Sequence, residues 1–191
     1  MQSLQTTPAV PRTSSRRAIA RWMATFLGFP LAGLATLITG PVDTLAAALA
    51  GGLLTGAVLG AVQVWGLGDN RPPTASWIVA TAVGLMSGLT LGASAVGFAT
   101  NLGALVLQGA LSGLLVGAAQ GLVLIPRLGL LALVWPPALS VIWSAGWAVT
   151  TLAGIDVEQQ FTVFGSSGAL LVTSLTAALP LALNHTAEVP S

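Results

Sequence analysis

Two glutamines in a repeated segment are the polar side chains of this sequence best placed to contact a ligand. Residues 52–63 align without gaps on residues 109–120, since both segments read G-x3-G-x3-G-x2-Q. Each helical residue turns about 100°, so Gln63 and Gln120 fall on the glycine-rich faces of their helices. The favoured interpretation is an interhelical hydrogen bond, which contributes about 1 kcal/mol in membranes. The alternative is that both glutamines line a polar pocket and bind a ligand.

Trp143 and Trp147 form the second candidate binding feature. They lie one helical turn apart, nearer the middle of an apolar stretch than tryptophans of the membrane interface usually lie. Pro136 and Pro137 precede them, and two prolines inside a span are expected to kink its helix. The two tryptophans either pack against glycine-rich neighbours or form the aromatic wall of a hydrophobic pocket.

A serine motif is the one feature that suggests catalysis. Residues 165–168 read Gly-Ser-Ser-Gly, which resembles the G-x-S-G pattern of rhomboid intramembrane serine proteases. That chemistry needs a histidine within hydrogen-bonding reach of the serine. The chain has one histidine, His185, which follows Ser167 on the same predicted helix and lies about 27 Å away at 1.5 Å per residue. We therefore expect no catalytic residues and a protein that is not an enzyme.

Metal, cofactor and nucleic-acid binding are not predicted either. The chain has no cysteine and one histidine, and its predicted spans contain no acidic residue, so a typical metal site cannot be assembled. Six arginines stand against five acidic residues, and this small basic excess is no evidence for nucleic acid as a partner. The absence of charge within the spans also argues against an ion pump, whose relays use buried carboxylates.

The rare charges divide the chain into apolar runs, and these runs predict the fold. Only 6% of the residues are charged and the mean hydropathy is +0.90, whereas soluble domains contain about 25% charged residues. The long runs without charge cover residues 22–42, 44–68, 72–126, 128–155 and 159–187. A span needs about 20 residues, so the run 72–126 holds two spans with a turn at 97–101. The sequence predicts an all-α integral membrane protein with six transmembrane helices.

The arginines predict how this protein lies in the membrane. With six spans all of them fall on one side, and arginine accumulates on the cytoplasmic side of membranes. The residues are Arg12, Arg16, Arg17, Arg21, Arg71 and Arg127. We therefore expect a multi-pass protein of the cell (inner) membrane with both termini in the cytoplasm. Four tryptophans near the same ends of the spans are expected to anchor it in the interface, namely Trp22, Trp65, Trp77 and Trp135.

The glycine repeat extends this prediction to the domain organisation. Residues 1–19 are expected to form a disordered cytoplasmic tail, residues 20–184 the transmembrane domain and residues 185–191 a second tail. Within the domain, three tandem hairpins are predicted at about 20–66, 75–124 and 130–183, as parallel pseudo-repeats around an axis along the membrane normal. As an alternative for the N-terminus, Ser15-Arg16-Arg17 before an apolar run also fits a twin-arginine export signal.

The repeated G-x3-G-x2-Q element, with Trp65 close to Gln63, resembles a group of uncharacterised bacterial multispan membrane proteins. Their glycine-rich segments end in Gln-Trp, whereas Val64 separates the two residues in this chain. The resemblance is best over residues 50–125 and implies no function.

Three hypotheses of function follow. The first is a protein that binds or transports a small apolar or lipid-like molecule in a cavity between the hairpins, using Gln63, Gln120, Trp143 and Trp147. The alternative is a non-catalytic accessory or structural subunit of a larger membrane complex, comparable to the substrate-binding subunits of vitamin transporters. Such a subunit would dock through a stripe of small residues in the first span, namely Ala20, Ala24, Gly28 and Ala32. An intramembrane enzyme acting on lipid is ranked last.

Overall fold

The computed structural model describes residues 15–155 and 162–186, which form helices with no strand among them. The α-helices are α1 (Ser15–Ala24), α2 (Gly28–Gly33), α3 (Ala35–Thr39), α4 (Leu45–Leu67), α5 (Thr74–Ala95), α6 (Leu102–Leu128), α7 (Trp135–Leu152), α8 (Ser166–Thr176) and α9 (Ala178–Thr186). Short 3-10 segments lie at Thr25–Leu27, Gly68–Asn70 and Gly129–Val134. The predicted all-helical fold is confirmed for this part of the chain.

Five helical segments of the described chain are long and apolar enough to cross a membrane, namely Ser15–Thr39, Leu45–Asn70, Thr74–Ala95, Leu102–Leu152 and Ser166–Thr186. The longest of them folds back near Gly129, whose φ of +55° favours glycine. A Cβ on Gly109 would contact Trp143, and a Cβ on Gly117 would contact Pro136. Helices α6 and α7 are therefore antiparallel neighbours.

Local signals explain where the helices of the central hairpins begin. The Thr44 hydroxyl accepts a hydrogen bond from the Ala47 N–H at 3.2 Å, and the Asn101 side chain accepts one from the Ala104 N–H at 3.0 Å. Both are N-caps, which satisfy free N–H groups of the first turn. The turn predicted at 97–101 is confirmed between α5 and α6, where Gly97 and Phe98 both have a φ of +59°.

The first segment is irregular, unlike the continuous helices α4, α5 and α6. It begins at Ser15, so the tail boundary predicted after residue 19 lies inside α1, and only residues 1–14 of that tail lie outside the described chain. A 3-10 turn separates α1 from α2, and a bend at Leu34 separates α2 from α3. Pro30 lies in the first turn of α2, where a missing N–H breaks no hydrogen bond within that helix.

The helices pack in chain order, and glycine brings neighbouring backbones together. A Cβ on Gly56 of α4 would lie 2.6 Å from the Ala82 Cα of α5. A Cβ on Gly88 of α5 would likewise lie 2.6 Å from the Ser112 Cα of α6. The order continues from α7 to α8, and the first segment contacts both α4 and the pair α8–α9. The bundle is therefore closed by contacts between the first and last segments.

Candidate functional site

The two glutamines of the repeated segment meet inside the bundle. The Gln120 side-chain amide donates to the Gln63 Oε1 at 3.1 Å and to the Thr81 hydroxyl at 2.9 Å. Gln120 is only 1% exposed. The glycine contacts of α4 and α6 with α5 bring these helices close enough for the two amides to bond directly. The interhelical bond predicted from the sequence is therefore present.

Three indole groups complete this polar layer. The Trp77 N–H donates to the Gln63 Oε1 at 3.1 Å, and the Trp135 N–H donates to the Gln120 Oε1 at 2.9 Å. Trp22 occupies the corresponding place in the first segment, and its N–H lies 3.1 Å from the Thr173 carbonyl and 3.2 Å from the Thr176 hydroxyl. Trp77 and Trp135 lie in the first turns of α5 and α7, whereas Trp22 lies near the end of α1, and each bonds a residue of another helix. We call these contacts the tryptophan clasps.

The clasps correct the prediction of interface anchoring for two of the four tryptophans, Trp22 and Trp77. Trp22 and Trp77 are 2% and 0% exposed. Their apolar rings and their donor N–H groups are both satisfied inside the bundle, so the interface offers them no advantage. Trp135 is half-buried, and only Trp65 of the four is exposed. Its ring stacks under the Arg21 guanidinium, 5.4 Å from the ring centre.

A small cavity of about 20 Å³ adjoins the glutamines. Its walls include Gln63, Gln120 and Trp143. Because a water needs about 10–15 Å³ of such space, this cavity has room for about one water molecule. Ligand binding by the glutamines stays a prediction, and in this conformation it is limited to a molecule of that size.

A much larger cavity of about 310 Å³ lies elsewhere in the bundle, between the first segment and helices α7 and α8. Trp147 lines it, as the hypothesis of an aromatic pocket wall predicts. Its other lining residues are Phe26, Phe29, Pro30, Gly33, Leu34, Leu37, Thr150, Ile155, Val163, Phe164, Gly165, Ser166 and Ala169. We call this space the aromatic cavity. Its volume falls in the lower part of the range of about 300–1,000 Å³ that is typical of ligand pockets.

Phe164 is the centre of the aromatic cluster behind this cavity. Its ring centre lies 5.2 Å from that of Trp143 and 5.4 Å from that of Trp147, both in edge-on arrangements. The ring centre of Phe29 lies 5.7 Å from that of Phe164. Trp143 faces the small cavity instead, so the structure separates the two predicted tryptophans. Phe29 and Phe164 were not predicted, because they are 135 residues apart in the sequence.

The aromatic cavity is distant from the turn that carries Arg127. Helix α7 begins shortly after Arg127, whereas the cavity is lined by Ile155, beyond the end of α7, and by Gly165 at the start of α8.

Pro136 and Pro137 occupy the first turn of α7 and do not interrupt it. The predicted kink is therefore wrong, because N–H groups in a first helical turn have no partner within the helix.

The serine motif does not gain a partner. Ser167 lies in the first turn of α8 and His185 near the end of α9, at opposite ends of one helical segment. The Ser167 hydroxyl is buried without a hydrogen bond. No group of three or more potential metal ligands occurs among residues 15–155 and 162–186. Asp156 and Glu158, on the predicted outer loop, lie outside these ranges.

The stripe of small residues predicted to bind a partner is divided between two environments. Ala20 and Ala24 are exposed, whereas Gly28 and Ala32 are buried. A Cβ on Gly28 would lie 3.1 Å from the Val62 side chain, so this half of the stripe packs against α4. Two of its four residues are thus available to another protein.

No protein-family model, curated protein or solved structure matches this chain. The resemblance to bacterial multispan proteins with repeated glycine-rich segments stays a prediction.

Proposed function

We propose that this protein crosses a membrane six times and binds a small apolar or lipid-like molecule in the aromatic cavity. The observation that carries the proposal is a cavity of about 310 Å³ with an almost wholly aromatic and aliphatic lining. Ligand pockets combine such linings with a few polar groups. Transport of the ligand would require further conformations and stays a prediction.

The polar groups of the lining support an apolar ligand. The Thr150 hydroxyl already donates a hydrogen bond to the Gly146 carbonyl at 2.8 Å, so it does not need a hydrogen-bond acceptor on the ligand. Phe29, Trp147 and Phe164 present apolar surface, and aromatic side chains dominate the energetics of such sites. Burial of a ligand here contributes about 25 cal/mol per Å² of apolar surface removed from water.

Access to the cavity from the lipid is suggested by its outer wall. Leu34 and Leu37 line the cavity and are 54% and 79% exposed. Leu34 lies at the bend between α2 and α3, where the backbone departs from a regular helix, and Leu37 lies in α3. Irregular backbone at membrane depth is typical of places where it lines a cavity.

The antiparallel packing of α6 and α7 supports six crossings. The segment Leu102–Leu152 has 51 residues, which at 1.5 Å per residue is about two and a half times the length that one crossing needs. With six crossings, the start of α1, the turn between α4 and α5 and the end of α6 lie on the same side. These places carry the five arginines of the described chain, and Arg12 lies outside it. This arrangement supports cytoplasmic termini in an inner membrane.

The tryptophan clasps support the three pseudo-repeats. Gln63 and Gln120 are 57 residues apart, and a further 57 residues lead to position 177, next to Thr176. Trp77 and Trp135 bond the two glutamines, while Trp22 bonds Thr176. The third repeat would then keep the clasp with a threonine in place of the glutamine.

The test uses a glycine that lines the cavity and has space for a side chain. A Cβ on Gly33 would come no closer than 3.7 Å to another group, the Val163 methyl. Gly33→Leu should therefore fill part of the cavity without moving the backbone. Gly103→Leu is the matched control, because a Cβ on Gly103 also meets its nearest group at an ordinary distance, 3.6 Å, away from the cavity.

Native mass spectrometry of protein extracted from its own membranes in mild detergent would measure bound small molecules. We expect a stoichiometric apolar ligand on the unchanged protein and on Gly103→Leu, and its loss from Gly33→Leu. Absence of any such ligand from the unchanged protein, or its retention by a folded Gly33→Leu variant, would refute the proposal.

An accessory subunit is the alternative, and the exposed half of the small-residue stripe gives it a separate test. Ala24→Leu enlarges an exposed residue of α1 and should leave the fold and the cavity intact. Co-purification of a membrane protein that Ala24→Leu abolishes and Gly33→Leu leaves unchanged would favour this alternative.

A further inference from the structure

Three arginines from different parts of the chain converge on one turn of the backbone. Arg21 donates to the Trp65 carbonyl at 2.7 Å, and Arg71 donates to the Gly68 carbonyl at 3.0 Å. Arg127 donates to the Asn70 carbonyl at 2.6 Å. The three guanidinium groups are thereby held around residues 65–71, which we call the arginine turn.

The charge of the arginine turn is poorly balanced within the described chain. The hydrogen bonds of its three guanidinium groups go to neutral carbonyl oxygens, which satisfy donors without neutralising charge. Asp69 is the one acidic residue of the turn and is exposed. Each guanidinium has five N–H donors, and Arg71 and Arg127 are exposed. They present further donors to an anion that approaches from outside.

An apolar surface adjoins the arginine turn. The segment Gly129–Val134 follows Arg127 and buries only Ala132 among its residues. Leu130 is 84% exposed and Leu131 is 69% exposed. Such a segment is unfavourable in water, where its apolar side chains would be hydrated. It is well suited to the boundary between headgroups and acyl chains.

We propose that the arginine turn and the segment Gly129–Val134 together form a binding site for an anionic phospholipid. The phosphate would bind Arg127 and Arg71, because guanidinium groups bind phosphate with two parallel hydrogen bonds. The acyl chains would lie against Leu130 and Leu131. Basic sites between the cytoplasmic ends of membrane helices bind anionic headgroups in this way.

The general excess of arginine on one side of a membrane does not account for this arrangement. Orientation requires positive charge near the ends of the spans, and Arg16 at the start of α1 meets that requirement with no hydrogen bond to the turn within the described part of the chain. Three positive groups held at one turn repel one another, and a bound phosphate would relieve that repulsion. The proposal therefore predicts that the lipid binds at this one turn, whereas a general excess of arginine would attract anionic lipids without a defined site.

The experiment measures lipid retention by the full chain in mild detergent. Phosphatidylglycerol and phosphatidylcholine of the same chain length are added, and the bound fraction of each is determined by native mass spectrometry. We expect preferential retention of phosphatidylglycerol, with about a fivefold loss of that preference in Arg127→Gln. Arg16→Gln removes the same charge from the same end and should change the preference less than twofold.

Equal retention of the two lipids, or an equal loss in Arg16→Gln and Arg127→Gln, would overturn the proposal in favour of diffuse charge. If Arg127→Gln does not fold, Leu131→Ser provides the test, because this exposed side chain contributes little to the fold. Leu131→Ser should lower phosphatidylglycerol retention severalfold, and unchanged retention would contradict the site.

The site is distant from the aromatic cavity, so Gly33→Leu should leave phosphatidylglycerol bound whether or not the cavity has a ligand.

Discussion

The bundle has two regions that differ in how their helices meet. Between α4 and α7, glycines bring backbones into direct contact, as at Gly56 with Ala82 and at Gly88 with Ser112. The first segment instead meets α7 and α8 through large side chains, among them Phe29, Trp147 and Phe164. The aromatic cavity lies on this second side.

This difference has a simple physical basis. Contacts between backbones leave no space for a ligand, and they favour two helices that are both regular over their whole length. Large side chains meeting across a bent segment pack less completely, because the 3-10 segment Thr25–Leu27 and the bend at Leu34 interrupt the helix. We therefore expect the glycine-packed region to be the more rigid part, and the broken segment forms one wall of the aromatic cavity.

The largest effect is expected from a side chain placed in a glycine contact. Gly88→Leu would put its Cβ 2.6 Å from the Ser112 Cα, a backbone atom that cannot move without separating α5 from α6. We expect a loss of stability above about 4 kcal/mol, as for other severe core changes. Thermal unfolding in detergent, followed by circular dichroism, measures it.

Gly103→Leu is the control for this prediction, because the space around Gly103 accepts a Cβ. That variant should unfold close to the temperature of the unchanged protein. A folded Gly88→Leu variant of normal stability would show that the glycine contacts are not rigid and would remove the contrast between the two regions.

An intermediate effect is expected in the polar layer. Gln120→Leu keeps the size of the side chain and leaves the Trp135 N–H without its acceptor. It also removes the donors to Gln63 and Thr81. A buried polar group left without a partner costs about 1–3 kcal/mol of stability. Measured energies of hydrogen bonds between membrane helices lie toward the lower end of this range.

Gln108→Leu is the matched control for Gln120→Leu. Gln108 lies in the same helix, is buried, and makes no side-chain hydrogen bond within residues 15–155 and 162–186. Its replacement should change the unfolding temperature little or raise it. Equal destabilisation by both variants would mean that the hydrogen bonds of Gln120 contribute nothing specific.

The sequence was sufficient to predict the regular region. The charge-free runs located the helices, and the 3.6-residue period placed Gln63 and Gln120 on the faces where they meet. The turn at 97–101 followed from its composition. These features are local or depend on a repeated spacing, so they can be read without knowing which helices are neighbours.

The aromatic cavity could not be predicted in the same way. Its walls come from the first and last segments, and nothing in the spacing of Phe29, Trp147 and Phe164 shows that these segments are neighbours. The burial of Trp22 was missed for the same reason, since its acceptors Thr173 and Thr176 lie about 150 residues further on. Position near a helix end indicates depth in the membrane but not which side of the helix faces the protein.

The smallest change in stability is expected at the edge of the aromatic cavity. The hydroxyl groups of Thr55 and Thr162 lie 2.7 Å apart and are buried, which ties the chain before α8 to α4. Thr162→Val removes that bond, while Thr55 keeps the Ala32 carbonyl as a partner at 3.3 Å. We expect a loss of stability of about 1 kcal/mol.

The same change should affect ligand binding more than stability. Because Val163 and Phe164 follow Thr162 directly and line the cavity, ligand retention should fall severalfold. Gln120→Leu should do the reverse, lowering stability while the ligand is retained. If both variants lower stability and retention in the same proportion, the two regions are one cooperative unit and the broken segment is no more adaptable than the glycine-packed helices.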